Sequence, residues 1–239
     1  MNLLFRDIVN RYEDEDSDKS RGGVGKSFGE YLAYMDTQVF EKEREFWIER
    51  LANLPRTLDF PRDVSESARK SFRCHRFTYT FEHDKTRQLK QQAASSGCTE
   101  FMYFFALYAA WLRRLTNAEE FILGVPVTGR PSREFNETLG YFTHLLPIRI
   151  DSSSCQSDSD FIAVARRSLL EAYEHQSLPY SEIMKLLGPK ITGLGDEPLI
   201  RAIFNFDQPG ELKGPLGTKA RWLPTPAGYT AFGLSLIHI

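Results

Sequence analysis

Five histidines, three cysteines and one glycine-rich run hold the residue types most able to do chemistry in this sequence. A zinc-dependent hydrolase would need two histidines one helical turn apart, as in H-E-x-x-H, so that both reach one metal ion. His75 and His83 instead flank a predicted strand, His144 stands beside another, and His175 falls at a predicted helix end. No serine occupies the G-x-S-x-G turn that exposes a nucleophile above a sheet. Cys74, Cys98 and Cys155 are odd in number and far apart. They suit neither a disulfide framework nor a metal cluster, and fit a reducing cytoplasm. The residues alone therefore predict no metal site and no complete catalytic device.

The run RGGVGKS, residues 21–27, looks like a phosphate loop until its surroundings are read. The full pattern requires a glycine where Ser20 stands, and the lysine-first variant requires a lysine where Arg21 stands. A phosphate loop also needs a buried strand before it, to aim backbone N–H groups at the anion. The preceding residues are YEDEDSDKS, which suit a solvated linker. Nucleotide chemistry is not expected.

The elements that must position any site follow from periodicity. Leu3, Leu4, Ile8 and Val9 open the chain at helical spacing, and a helical region broken once is predicted over residues 27–53. Phe77, Tyr79 and Phe81 alternate with Thr78 and Thr80, which predicts a half-buried strand. Thr99 is placed to cap an amphipathic helix whose core stripe would be Phe101, Phe104, Phe105, Tyr108, Trp111, Leu112 and Leu115. FILGVPV reads as a strand buried on both faces, LLPIRID and LIRAIFNF as further strands, and Asp158 opens another helix. Helices alternating with strands predict an α/β layered fold with a mixed sheet and flanking helices.

The composition of the 239 residues, 41% hydrophobic and 26% charged, is that of an ordinary globular chain. A formal net charge of −2 gives no electrostatic footprint for nucleic acid. No apolar run is long enough to span a membrane, and no signal peptide opens the chain, so a cytoplasmic protein is expected.

Four segments, in order, resemble the condensation domain of nonribosomal peptide synthetases. Residues 31–63 resemble its tyrosine-rich segment ending in L-x-x-L-P and Pro-x-Asp. Residues 123–150, LGVPVTGRPSREFNETLGYFTHLLPIRI, resemble G-x-P-V-x-x-R followed by I-G-x-F-x-N-x-L-x-x-R. Gly124, Pro126, Val127, Arg130, Gly140, Phe142 and Arg149 fall in register there. HQSLPY, with His175, Gln176 and Pro179, is similar to H-Q-D-x-P-F, and residues 197–208 resemble P-L-F-x-x-x-F-x-x-Q. The sequence departs from the pattern at His144, where asparagine is usual, at Ser177, where aspartate is usual, and before Pro198, where R-D-x-S-R is absent.

The resemblance implies the chloramphenicol-acetyltransferase-like architecture, two similar α/β lobes around a channel. The family's H-H-x-x-x-D-G motif is not in this sequence. The expectation is therefore a C-terminal part of the domain, inactive alone, with no catalytic residue of its own. Residues 1–63 would be the tail of the first lobe and the inter-lobe helical region, and residues 64–233 the second lobe. LSLIHI, residues 234–239, has two readings, a translated sequencing-adapter scar or, up to Leu236, a native family strand ending in F-D-L-S-L, and His238 is given no role. By resemblance Arg130 supports the active site. Gly124, Pro126, Gly140, Phe142 and His144 shape the channel floor, and His175, Gln176 and Pro179 are structural.

The implied reaction joins two substrates held as thioesters on the phosphopantetheine arms of donor and acceptor peptidyl carrier proteins, with no cofactor bound directly. The implied partners are those carriers, the first lobe and an adjacent adenylation domain. Two other readings stay open, an acyl-coenzyme A-dependent acyltransferase of the same superfamily and a non-catalytic carrier-docking module.

Overall fold

Three of the described helices begin at side-chain caps. In the computed structural model, which describes residues 2–13, 25–61, 72–188, 198–207, 212–220 and 228–238, helix α1 spans Asn2–Glu13. Ser27 opens α2 (Phe28–Asp36) with a reciprocal capping box: its hydroxyl accepts from the Glu30 N–H, and the Glu30 carboxylate accepts from the Ser27 N–H. Hydrogen bonds from the Ser27 N–H and hydroxyl hold Glu30 below the usual carboxylate range. The predicted break falls at residues 37–40, before α3 (Glu41–Arg50). Helix α4 covers His83–Ser95, and Thr99 caps α5 (Glu100–Thr116) by accepting from the Met102 N–H. Ser157 and Asp160 form a second capping box at α6 (Asp158–Glu174). Helix α7 (Tyr180–Leu187) starts after Pro179, whose fixed φ of −60° suits a helix entrance.

Strands β1 (Glu120–Thr128), β2 (Thr143–Asp151), β3 (Ala202–Phe206) and β6 (Leu234–His238) form a sheet in the order β2-β1-β3-β6. Two-residue strands β4 (Leu212–Lys213) and β5 (Lys219–Ala220) make a separate antiparallel pair. Strand β2 runs antiparallel to β1, while β3 and β6 are parallel neighbours, so the expected mixed α/β sheet with flanking helices is formed. The segment with two readings at the end of the sequence supplies β6 as an edge strand; residue 239 lies outside the described residues. No helix among the described residues is long and apolar enough to cross a membrane.

Two prolines set where the sheet is closed and where it opens. Pro126 faces Leu145, and Gly124 faces Pro147 two residues away. Positions two apart in an antiparallel ladder have the same hydrogen-bonding sense. A continuous β1–β2 register is thus compatible with both prolines if both turn their nitrogens away from that ladder. Pro147 then faces the free edge of β2, and Pro126 faces β3, to which it has no N–H to give. The β1–β3 register accordingly holds one pair, Gly124 with Ile203. Beyond it the carboxyl ends of the two strands share no registered pair.

Phe121, Leu123, Val125, Leu146, Ile148, Ile150 and Phe204 are fully buried in the main core. Helices α5 and α6 pack on each other and on the sheet, and α3 meets α7. A reciprocal arginine pair ties these layers. Arg149 donates to the Arg50 carbonyl at 2.8 Å, and Arg50 to the Arg149 carbonyl at 3.1 Å. Arg149 also holds Glu120 of β1 at 2.7 Å, and Arg50 reaches Ser168 of α6 at 2.9 Å. Charged donors thus satisfy backbone carbonyls where α3 ends against the sheet.

Two expectations fail. The alternating segment 77–81 is not a strand, and Phe77 is 94% exposed. Backbone bonds to residues 228–230 reach Cys74, whose N–H meets the Gly228 carbonyl, and residues 221–227, which would continue that register opposite 77–81, lie outside the described residues. Alternation becomes a strand only when a second strand completes the hydrogen bonds. The core stripe of α5 is also displaced. Trp111 is half exposed, whereas Ala106 and Ala109 are fully buried. Small residues on that side let α5 approach α6, which rotates the buried face toward them. Residues 14–24, including most of the glycine-rich run, and residues 62–71 lie outside the described residues.

Gly124 sits where β1 and β3 meet, and a methyl group there would come within 2.7 Å of Ile200 Cγ2 and 2.8 Å of Ile203 Cγ2. Both neighbours are stiff β-branched side chains, so Gly124→Ala is expected to destabilise the fold by about 1–3 kcal/mol. Urea unfolding reads this directly; an unchanged midpoint would show that the β1–β3 junction is not tightly packed.

Candidate functional site

Where β1 ends, the chain leaves the sheet for a strap, residues 129–142, and returns as β2. The strap is closed at its base, since the Gly129 N–H donates to the Phe142 carbonyl at 3.0 Å. Inside it Arg130 donates from Nη1 to the Phe135 carbonyl and from Nη2 to the Thr138 carbonyl at 3.0 Å. Its guanidinium carbon lies 4.1 Å from the centre of the Phe142 ring. A planar cation with five donors can serve two carbonyls and a ring face together, which a lysine could not. A single helical turn at Arg133–Phe135 presents one of those carbonyls.

The strap is held against α2 by aromatic packing. Tyr31 lies 4.5 Å from Phe142 and 5.6 Å from Phe135, measured between ring centres, and Phe28 meets Phe142 edge to face at 5.3 Å. Phe135 is fully buried and Tyr34 completes the cluster. Burial pushes the Tyr31 phenol above its ordinary value. Thr138, itself buried, donates its hydroxyl to the Lys26 carbonyl. Lys26 pairs with Glu134 at 2.9 Å, and Arg6 of α1 pairs with Glu137. These two pairs are exposed and add little stability. Lys26 thus reaches a carboxylate of the strap, and Ser27 caps a helix, in place of any phosphate chemistry.

A second group joins β2 to the turn after α6. His144 faces the Gln176 carbonyl from Nε2 at 2.8 Å. Burial holds its imidazole below the usual histidine value, partly opposed by hydrogen bonding to the Gln176 and Phe142 carbonyls. The neighbouring His175 ends α6, and its ring stacks on Phe46 with centres 3.9 Å apart. Its carbonyl receives the Trp47 indole N–H at 3.0 Å. Leu178 is fully buried behind it, and Pro179 leads into α7. There Tyr180 is pushed up to about 12 by burial.

The residues singled out in the sequence therefore fall into three places. Arg130, Gly140 and Phe142 meet in the strap; His144, His175, Gln176 and Pro179 meet at the α6–α7 turn; Gly124 and Pro126 lie in β1. His75 and His83 are exposed elsewhere, and no group of three or more metal-binding side chains forms among the described residues. Sequence reading did not assign Gly129, Phe135, Thr138 or Trp47 to these places. Only Trp47 gave a signal, as an apolar helical residue with a donor to satisfy. No paired nucleophile and base is present in either place. The arrangement can hold a rigid cation beside the carboxyl ends of parallel strands, where ligands of open α/β sheets bind.

Comparison with known proteins places this geometry. The sequence matches the family described as Condensation domain over residues 1–218. Malpinin synthetase of Mortierella alpina is 30% identical over 185 residues, 76% of this chain and 2% of that protein. Bacitracin synthase 2 of Bacillus licheniformis is 25% identical over 193 residues, 80% of this chain and 7% of that protein. The chain thus spans less than a tenth of these curated relatives. Among solved structures, a complex of the X-domain and OxyB from teicoplanin biosynthesis aligns with 98% of this chain and 53% of its own, at a TM-score of 0.78 and 17% identity. That likeness is one of fold.

Gly140 marks the closest approach of strap and α2, since a methyl group there would stand 2.2 Å from Phe28 Cδ2. Gly140→Ala is expected to push α2 away, at about 1–3 kcal/mol, and to speed amide exchange in residues 28–36 by about tenfold or more. Exchange equal to wild type would show that the aromatic packing does not hold the strap.

Proposed function

The chain belongs to the condensation-domain family, and from that premise we propose that it forms part of the channel of a nonribosomal peptide synthetase in which two carrier-bound substrates are joined by an amide bond. Residues 1–63 would end the first lobe and cross between lobes, and residues 64–233 would build most of the second, in a cytoplasmic assembly. Donor and acceptor carrier proteins would deliver their phosphopantetheine thioesters from opposite ends of the channel, beside an adenylation domain of the same assembly.

In the reaction the acceptor amine attacks the donor thioester carbonyl. The C–N bond forms, the C–S bond breaks, and the donor carrier keeps its thiol. The proton lost by the amine goes to a base, for which the histidine of an H-H-x-x-x-D-G segment is suited. No such segment occurs in these 239 residues, so this chain by itself is expected to form no product. Its own contribution would be shape and position. Holding both thioesters in one channel raises their effective concentration, and thiolate is a good enough leaving group to need little acid assistance.

The observation that carries this reading is Arg130, fixed at the end of β1 by the Thr138 carbonyl and the Phe142 ring. Two of its N–H groups are committed to the Phe135 and Thr138 carbonyls, and a guanidinium has five. The remaining donors suit the aspartate of the histidine segment, which would hold that loop in place. Gly124, Pro126, Gly140, Phe142 and His144 would shape the floor beside it, while His175, Gln176 and Pro179 keep the α6–α7 turn in form.

Arg130→Ala in a complete domain is expected to lower amide formation by about tenfold or more and to reduce the melting temperature. The assay is product release from two loaded carrier proteins. Wild-type turnover with unchanged melting would exclude Arg130 as the support of the catalytic loop.

A further inference from the structure

His144 stands where asparagine is usual in the family, so its chemistry belongs to this chain rather than to the condensation reaction in general. Its ring is half-buried between the strap and the α6–α7 turn. On one side Nε2 is 2.8 Å from the Gln176 carbonyl. On the other, Nδ1 lies against Gly129, so close that a methyl group on that glycine would come within 2.6 Å of Nδ1 and 2.7 Å of the Phe142 carbonyl. Gly129 leaves room for both, and its own N–H already serves the Phe142 carbonyl at 3.0 Å.

Two carbonyls therefore face one imidazole, and a neutral imidazole has one N–H. The Phe142 carbonyl already has the Gly129 N–H, whereas the Gln176 carbonyl depends on the ring among the described residues. We infer that His144 is a positioning residue: in its neutral, Nε2-protonated form it pins the α6–α7 turn to the entrance of β2, and acidification weakens that junction and, through Phe142, the Arg130 strap. The functional weight of the strap rests on the proposed condensation reading; the junction itself does not.

The surroundings explain why acid weakens rather than strengthens it. A second proton would let Nδ1 donate to the Phe142 carbonyl, but it would place a whole charge in a half-buried site. Burial is the larger effect, and it holds the imidazole below its ordinary value of 6.5. No carboxylate stands among the causes of that shift. The charged and titratable groups of the packed elements face elsewhere. Arg130 of the strap lies over Phe142, His175 of α6 stacks on Phe46, and on α7 Glu182 and Lys185 pair with each other at 2.7 Å.

The sign follows from the lowered value. The unfolded chain binds the proton near pH 6.5 and the folded chain only at lower pH, so the contribution is complete above 6.5 and is lost as pH falls below it. Between about pH 7.5 and 5 the ratio of folded to unfolded wild type should fall up to about thirtyfold more than that of His144→Asn. The asparagine amide can still donate to Gln176, and the other four histidines are common to both chains. The test is urea unfolding of the full 239-residue chain and of the variant across this range. It is paired with nitrogen-detected NMR of the wild-type ring, which decides the matter if the variant fails to fold. A diverging pH profile and an Nε2–H tautomer at about pH 7.5 are the expected results. Parallel profiles, or an Nδ1–H tautomer, would overturn the inference. Neither readout involves turnover, so its failure would leave the condensation reading untouched.

Discussion

One guanidinium closes the strap on which the site depends. Arg130 satisfies the Phe135 and Thr138 carbonyls and sits over Phe142, so the chain that leaves the sheet after β1 folds back on a single side chain. Hydrogen bonds to a charged donor contribute about 1.5–3 kcal/mol each, and a desolvated cation over a ring about 2 kcal/mol. Remove the cation and two half-buried carbonyls lose their partner while Phe142 loses its cover. The aromatic cluster with Phe28 and Tyr31 is organised around the same ring, so α2 docks on a surface that Arg130 keeps flat.

The sheet supplies the rigid end from which this strap hangs. Pro126 and Pro147 fall in same-sense positions of the β1–β2 ladder, which leaves that pair continuous while Pro126 has no N–H to give β3. The registered β1–β3 pairing is thereby limited to Gly124 and Ile203, short of the end of β1 where the strap begins. The reciprocal Arg50 and Arg149 bonds brace the opposite end of β2, away from the site.

How much of this the sequence disclosed depended on how local each feature is. The cap at Thr99, the helix starts near residues 27 and 158, and the buried run of β1 are set by neighbours within a few residues, and they were legible. Residues 77–81 have as clear a strand pattern as any segment, yet they are not a strand; alternation specifies a face and leaves the pairing to distant residues. The stripe of α5 is plainly apolar in the sequence, but its facing is not, since Ala106 and Ala109 announce helix contact only once α6 is in place. Arg130 was legible as a family position. Its use of the Phe135 and Thr138 carbonyls was not, because backbone acceptors leave no mark on residue identity. Nor was Gly129, whose small size matters only because His144 returns beside it fifteen residues later.

The central claim is that Arg130 and Phe142 act as one unit in closing the strap. A double-mutant cycle with Arg130→Met and Phe142→Leu, read by urea unfolding at low ionic strength, measures their coupling directly. The expected coupling is about 1–2 kcal/mol, with the double variant less destabilised than the sum of the single changes. Strictly additive losses would contradict it, and would mean that the cation and the ring hold the strap independently.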